Sequence, residues 1–341
     1  MEDEAYRARN RTHDEIRQKG AIGNLNDGIE ITTHSIPTRI IAWPGNGFQT
    51  LSVHVLTHRP GAESPMYSYD LAEEALLCLK GNGEVFLRGQ WVEIEAGDVA
   101  FFPRGVTHAT RNPEENDRDF VLVNCISPPQ FDLYEPDGYY NREKGVMRFE
   151  AIEGAKKTAR LGNLSTDNEL QLNESYPELR AWNLNAEDIR REGALFNVFM
   201  GAEFHGLDPA FAAHMPGSQK AHMLLNLWPG YGVSSTGFHF AHGIPVLQSA
   251  NIHTHPFTDE CLILWAGKGH LYCNDRWVEA ETFDCVFAPC GVHHDIGGRR
   301  SPLAGRWFGG GFASPPQLDL YMKSEYYKDG KFNQPPFVKL A

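Results

Sequence analysis

The segment Pro103-Arg104-Gly105-Val106-Thr107-His108 recurs as Pro289-Cys290-Gly291-Val292-His293-His294, 186 residues later. Three further segments recur in the same order at offsets of 185 to 187 residues: 43–47 with 228–232, 90–95 with 276–281, and 127–134 with 314–321. Co-linear matches at a nearly constant offset indicate an internal repeat. We therefore predict two copies of one domain, at 13–150 and 186–341, joined by a polar linker at 151–185.

Each copy has the pattern of a β-rich domain. Short apolar or alternating runs at 51–55, 75–79, 83–87 and 99–102 are mostly bounded by glycine or proline turns. Several short strands at this spacing indicate an antiparallel sandwich or barrel. Helical patterns are confined to the domain starts, at 14–19 and 186–192. The predicted fold class is all-β, with two tandem barrels and a few short helices.

Composition excludes several classes of function. The chain has 341 residues and a net charge of −13, with no Lys/Arg cluster of the kind that binds nucleic acid or an anionic membrane. No apolar run approaches the ~18 residues of a transmembrane helix. The acidic start Met1-Glu2-Asp3-Glu4 is unlike a secretory signal, and none of the six cysteines forms a C-x-x-C pair. We therefore expect a cytoplasmic protein with reduced thiols.

The second copy contains the residues that point to chemistry. The segment His253-Thr254-His255-Pro256-Phe257-Thr258-Asp259-Glu260 is followed, after a Pro-x-Gly-x-x-His run, by His294. Histidines at positions i and i+2 of a strand point to the same face, so both imidazoles can converge inside a barrel. Three neutral imidazoles and one carboxylate are a suitable ligand set for a divalent metal, with two octahedral positions left for water, O₂ or substrate.

The spacing H-x-H-x₄-E-x₆-G followed by P-x-G-x-x-H resembles the two motifs of the cupin superfamily. Because the resemblance covers both copies, it implies a bicupin built from two cupin (jelly-roll) barrels. Carried over residue by residue, the metal ligands implied are His253, His255, Glu260 and His294. The resemblance implies one divalent metal ion per chain, Fe(II) first among the candidates, with Mn, Zn or Ni as alternatives.

The second copy departs from the cupin pattern at turn positions. Leu247 and Phe283 stand where the motifs usually have glycine, and Gly298 stands where the second motif usually ends in asparagine. In the first copy Tyr67 and Tyr69 replace the two histidines. Phenols with a pKa near 10 are poor metal ligands, so we expect one metal site per chain. The tyrosines, with Glu74 and His108, then form either a hydrogen-bonded plug or a metal-free ligand pocket.

Three features near the predicted site have alternative interpretations. Gly309-Gly310-Gly311 either widen the second barrel for a substrate or mark a bulge or close strand contact. His239 has the counterpart His54 in the metal-free copy, which favours a structural role. His293 lies next to His294 and so is expected to face outward. No residue is singled out as a catalytic acid or base.

The leading functional hypothesis is an Fe(II) dioxygenase that cleaves a C–C bond or a ring of a hydroxylated aromatic or enolic acid. Bicupins of this length include quercetinase-type and gentisate-type dioxygenases. The second hypothesis is a Mn- or Zn-dependent lyase, decarboxylase, isomerase or aminohydrolase acting on a small acid. A non-catalytic binding or storage protein ranks last. The expected partners are a small-molecule substrate and O₂, with no nucleic acid and no membrane, and we expect a homo-oligomer.

Overall fold

The computed structural model describes residues 3–204, 222–243, 252–297, 307–323 and 325–340. In the first part of the chain the strands are β1 Ala21–Asn24, β2 Ile29–Thr33, β3 Ile36–Ala42, β4 Ser52–His58, β5 Glu73–Lys80, β6 Asn82–Leu87, β7 Gln90–Glu95, β8 Asp98–Phe102, β9 Thr110–Arg111, β10 Phe120–Ser127, β11 Tyr140–Asn141 and β12 Val146–Met147. In the second part they are β13 Ala194–Asn197, β14 Met200–Phe204, β15 His222–Leu227, β16 Gly237–Gly243, β17 Asp259–Ala266, β18 Lys268–Cys273, β19 Arg276–Glu281, β20 Asp284–Ala288, β21 His294–Gly297, β22 Trp307–Ser314, β23 Tyr327–Lys328, β24 Lys331–Phe332 and β25 Val338–Lys339.

The α-helices among the described residues are short. They are α1 His13–Lys19, α2 Phe149–Thr158, α3 Ala186–Glu192 and α4 Leu318–Lys323. Helix α1 begins with a capping box, in which Thr12 and Glu15 satisfy each other's backbone N–H groups, and α3 has Asn185 as its N-cap. None of the described helices is long and apolar enough to cross a membrane.

Two antiparallel barrels account for most of the chain. The first combines a large sheet, in the order β13-β8-β5-β10-β4-β3-β2, with the small sheet β7-β6-β9. The second combines the order β1-β20-β17-β22-β16-β15-β14-β25 with the small sheet β19-β18-β21. The two copies therefore repeat the same succession of elements, from α1 and α3 through to the hairpins β11–β12 and β23–β24. This confirms the all-β fold class with tandem barrels that the sequence predicts.

The two barrels exchange their first strands. Strand β1 pairs with β20 of the second barrel, with Ala21 opposite Phe287. Strand β13 pairs with β8 of the first barrel, with Ala194 opposite Phe101. Each exchanged strand covers an edge that would otherwise leave unpaired N–H and C=O groups. Backbone hydrogen bonds thus join each barrel to a strand that comes from the other copy.

A shared core and a few polar contacts complete the junction between the barrels. Phe48 packs edge-to-face on Phe287, with ring centroids 5.5 Å apart, within a hydrophobic cluster that draws residues from both copies. Ser127 and Ser314, equivalent residues of the repeat, are hydrogen-bonded to each other at 2.5 Å. This places the two copies of the repeated Ser-Pro-Pro segment side by side at the centre of the molecule.

The segment between the copies is packed against the first barrel. Its backbone is hydrogen-bonded to the first barrel where Gln171 N–H donates to the Ala96 carbonyl at 2.9 Å. Arg180 is fully buried and forms an ion pair with Asp98 at 2.5 Å. A buried arginine left without its carboxylate would carry a large desolvation cost, so this pair anchors the segment in one place.

Candidate metal centre

The sequence-predicted ligands come from three separate parts of the second barrel. Glu260 is the second residue of strand β17, and His294 begins β21. His253 and His255 lie in an extended connection rather than in a strand with a full ladder. A single antiparallel bridge fixes this connection, because His253 N–H donates to the His294 carbonyl and His294 N–H donates back, at 3.1 and 2.9 Å. The extended backbone preserves the i, i+2 relation expected of a strand.

The structure brings His253, His255, Glu260 and His294 together. Their potential ligand atoms all lie within 4.8 Å of one another. Glu260 Oε2 is 3.1 Å from His255 Nε2 and 2.9 Å from His294 Nε2. His255, Glu260 and His294 are almost completely buried, whereas His253 is half-buried. The four residues form a group that could bind a metal.

Hydrogen bonds around the group prepare it for a cation. His294 Nδ1 lies 2.8 Å from the Val292 carbonyl, which selects the tautomer that carries its proton on Nδ1 and leaves Nε2 to face Glu260. Burial by itself would raise the pKa of Glu260, but the interactions with His255 and His294 lower this pKa well below its usual value. The carboxylate is therefore held in its anionic, metal-binding form.

Gln317 belongs to the same group, although no metal-binding motif in the sequence includes it. Its side-chain amide lies 3.0 Å from His255 Nε2 and 2.9 Å from Glu260 Oε2, and the residue is only 3% exposed. The available signal was its place in the repeated Ser-Pro-Pro-Gln segment. The same segment occurs in the copy without the two histidines, so its repetition does not indicate a role beside them.

His239 is the second neighbour of the ligand group. Its Nδ1 is 3.7 Å from Glu260 Oε1, too far for a hydrogen bond. Burial lowers the pKa of His239, and the charges of His255 and His294 lower it further, whereas Glu260 opposes this shift. The imidazole is therefore neutral near pH 7. By contrast His293 is exposed, in line with its expected outward orientation.

The first barrel contains a hydrogen-bonded network at the equivalent place. Glu74 Oε2 accepts from Tyr67 at 3.1 Å and lies 2.7 Å from His108 Nε2, while Glu74 Oε1 accepts from Asn124 at 2.7 Å. Burial raises the pKa values of the Tyr67 and Tyr69 phenols well above 10, and the charge of Glu74 adds to both shifts. Protonated phenols do not ligate a metal readily, so these contacts have the character of a plug.

A hairpin residue closes the network of the first barrel. His34 lies in the two-residue turn between β2 and β3, with a φ of 49°, in the left-handed region. Its ring stacks on Tyr67 with centroids 3.7 Å apart, and its Nε2 is 2.8 Å from the Tyr69 hydroxyl. The tyrosines are therefore enclosed by a side chain from another element of the first barrel.

The structure describes one of the three positions at which the second copy departs from the cupin turn pattern. Phe283 has a φ of +75°, the left-handed backbone that its counterpart Gly97 adopts with a φ of +107°. A non-glycine residue in this conformation costs roughly 1–2 kcal/mol, which the burial of the Phe283 ring offsets. The turn is thus preserved without its glycine. Leu247 and Gly298 lie outside the described residues.

Close backbone contacts account for two of the three consecutive glycines of β22. A Cβ atom at Gly310 would lie 2.1 Å from the His239 carbonyl oxygen, and one at Gly311 would lie 2.2 Å from that of Cys261. Gly311 corresponds to Asn124 in the first copy. Position 311 therefore lacks the amide that Asn124 donates to Glu74, and the amide beside Glu260 comes from Gln317 instead. The close strand contact is sufficient reason for glycine at both positions.

Comparison with known proteins gives the family. Residues 54–124 match the family model of the cupin domain. Since the second copy repeats the same elements in the same order, the domain occurs twice. Residues 54–124 thus belong to the cupin family, and the chain has the two-barrel fold of a bicupin.

Solved structures share the fold of this bicupin. A protein from Pseudomonas aeruginosa proposed to be glyoxylate induced is 14% identical, with 87% of this chain and 88% of that chain covered and a TM-score of 0.55. The protein Ylba from E. coli is 11% identical, with 87% and 91% covered and a TM-score of 0.53. An uncharacterized protein from Aquifex aeolicus is 42% identical over 50 residues, and the bicupin spans only 39% of its length. These likenesses concern the fold and a short segment.

Proposed function

We propose that this bicupin is a metal-dependent enzyme, an Fe(II) dioxygenase that cleaves a C–C bond or a ring of a hydroxylated aromatic or enolic acid. The observation that supports this proposal is the convergence of His253, His255, Glu260 and His294 within 4.8 Å. The other copy, where tyrosines occupy the first two positions, supports a single centre per chain.

The donor atoms fit a divalent ion. Two ligands bound about 2.1 Å from one ion and at right angles to each other lie about 3 Å apart. The separations of Glu260 Oε2 from His255 Nε2 and His294 Nε2, 3.1 and 2.9 Å, have this size. Nitrogen and oxygen donors of this kind suit Fe, Mn, Zn and Ni alike. An Fe(II) ion held here would supply Lewis-acid and one-electron chemistry to a chelating substrate and O₂.

The residues of the chain favour an anionic substrate with an apolar body. One carboxylate among the four ligands leaves the site with a net positive charge when a divalent ion is bound, which attracts an acid or enolate. Phe257, on the same segment as the histidines, is 79% exposed, and Ile252 is also exposed. Most other aromatic side chains of the second copy are buried in the core. Phe257 is therefore the aromatic residue that we assign to contact with a planar substrate.

A second candidate function is non-redox chemistry with Mn or Zn: a lyase, decarboxylase, isomerase or aminohydrolase acting on a small acid. This chemistry requires an acid or base beside the metal. His239 is such a group, since it is buried, neutral and 3.7 Å from Glu260. A binding or storage protein remains the third candidate.

Metal analysis of protein purified without added metal tests these alternatives. About one iron per chain, together with O₂ uptake on hydroxylated aromatic or enolic acids, is the result expected of the dioxygenase. Manganese or zinc without O₂ uptake would favour the second candidate. The His239→Gln variant separates the two further, because it should abolish non-redox turnover and spare O₂ uptake. Absence of metal even after reconstitution would favour the third candidate, a binding or storage protein.

A further inference from the structure

The side chain of Gln317 has different hydrogen-bond partners from that of Gln130, its counterpart in the first copy. Gln130 lies half-buried, and its amide donates to the Pro128 carbonyl, two residues away, at 3.1 Å. Gln317, although it follows the same Ser-Pro-Pro sequence, is buried with its amide against His255 and Glu260. The same local sequence therefore leads to different amide contacts in the two copies.

The position of the amide matches that of one more ligand. Its Nε2 lies 3.0 Å from His255 Nε2 and donates to Glu260 Oε2 at 2.9 Å. Both distances equal the roughly 3 Å expected between adjacent ligands of one ion. An amide carries a carbonyl oxygen as well as an NH₂ group, and the two ends exchange by rotation of the terminal bond. A cation would favour the orientation that turns the oxygen towards it.

We propose that Gln317 is a fifth ligand of the metal, binding through its amide oxygen. This inference rests on the proposed metal site. Five protein ligands leave one octahedral position in the resting site instead of two. The uncharged amide is the weakest of the five donors, so a substrate that binds through two oxygens would displace it. Gln317 thus restricts the resting site to one exchangeable position and favours chelating substrates over monodentate ones.

Two substitutions distinguish a ligand from other roles. In Gln317→Glu a carboxylate oxygen replaces the amide oxygen, so metal affinity should increase if the residue is a ligand. If Gln317 acts only as a hydrogen-bond donor to Glu260, the same substitution would set two carboxylates against each other without a donor between them. Gln317→Leu removes the oxygen donor and should weaken metal binding at least ~10-fold. The controls are Gln130→Glu and Gln130→Leu, which alter the equivalent residue away from any metal.

The measurement is the Mn²⁺ dissociation constant of the whole chain, with the number of Mn²⁺-bound waters determined from water-proton relaxation. The expected result is weaker binding and one more bound water in Gln317→Leu, tighter binding in Gln317→Glu, and no change in the Gln130 variants. Weaker binding in Gln317→Glu, or unchanged or tighter binding in Gln317→Leu, would overturn the inference. If Gln317→Leu does not fold, Gln317→Glu decides by itself. Wild-type protein that binds no Mn²⁺ or Fe²⁺ would overturn the proposed function as well.

Discussion

The two barrels differ at their centres in two residues, which are tyrosines in the first copy and histidines in the second. Tyr67 and Tyr69 stand where the second copy has His253 and His255, and the remaining carboxylate and histidine are present in both. In the first copy Glu74 accepts hydrogen bonds from a phenol, an imidazole and an amide. An acceptor-only carboxylate satisfied in this way is stable when buried without a cation. The same fold position thus serves as a plug or as a ligand group.

Substitution of one residue in each barrel tests this difference. His255→Ala should remove most bound metal and nearly all activity while leaving the fold largely intact, because one donor of a small ligand set is lost. Tyr69→Phe should leave the metal content unchanged, because the Tyr69 hydroxyl lies in the first barrel and is bonded there to His34. Mass spectrometry measures the metal content of each variant, and circular dichroism measures whether each variant is folded. Equal loss of metal in both variants would contradict a single site per chain.

At the scale of the element, two strands connect the barrels through acids that precede the central glutamates. Asp259, the first residue of β17, accepts from the backbone of Gln49, Thr50 and Cys290 and from the side chain of Arg17. Glu73, the first residue of β5, accepts in the same way from the backbone of 234–236. Each barrel therefore holds a loop of the other at the point where its central strand begins.

Loss of the Asp259 carboxylate should affect both stability and metal binding. Asp259→Ala leaves several partly buried N–H groups and the half-buried Arg17 guanidinium without their acceptor, at a cost of roughly 1.5–3 kcal/mol in the free energy of unfolding. Because Glu260 is the next residue, metal affinity should fall too. Urea unfolding and metal titration measure the two effects. Glu73→Ala is the matched control, and an equal loss of metal affinity in that variant would show that Asp259 has no special connection with the metal group.

At the scale of the whole molecule, strand exchange makes each half incomplete. A chain of residues 151–341 lacks β1, so strand β20 is left with an unpaired edge, and a chain of residues 1–150 lacks β13. We expect either half alone to aggregate and the two halves to form a soluble complex when co-expressed. Size-exclusion chromatography measures this outcome. A soluble monomeric second half that binds metal as tightly as the whole chain would refute the expectation. The predictions of homo-oligomerisation and of a cytoplasmic location stay predictions.

Buried neutral histidines make the whole fold sensitive to acid. Burial lowers the pKa values of His54 and His58 to about 4, from 6.5. The unfolded chain then binds more protons than the folded chain between these values, so the free energy of unfolding should fall as the pH drops from 6.5 towards 4. Each histidine contributes about 3 kcal/mol to the decrease, and neither contributes above pH 6.5. Unfolding of metal-free protein in urea across this range tests the sign, and the double variant His54→Gln, His58→Gln should show a shallower slope.

Local patterns in the sequence were sufficient to predict the duplication, the β-rich class and helices α1 and α3. They also selected four residues that meet in space. Periodicity, turn residues and motif spacing are properties of neighbours along the chain, and a repeat makes each of them visible twice. The exchange of β1 and β13, the contacts of Asp259 and the place of Gln317 depended on residues about 30 to 265 positions apart. Such contacts depend on how the two barrels pack, because a short segment with one sequence pattern can bond in several ways until its neighbours are in place. The Ser-Pro-Pro-Gln segment shows this directly, since Gln130 bonds to its own turn and Gln317 bonds to His255 and Glu260.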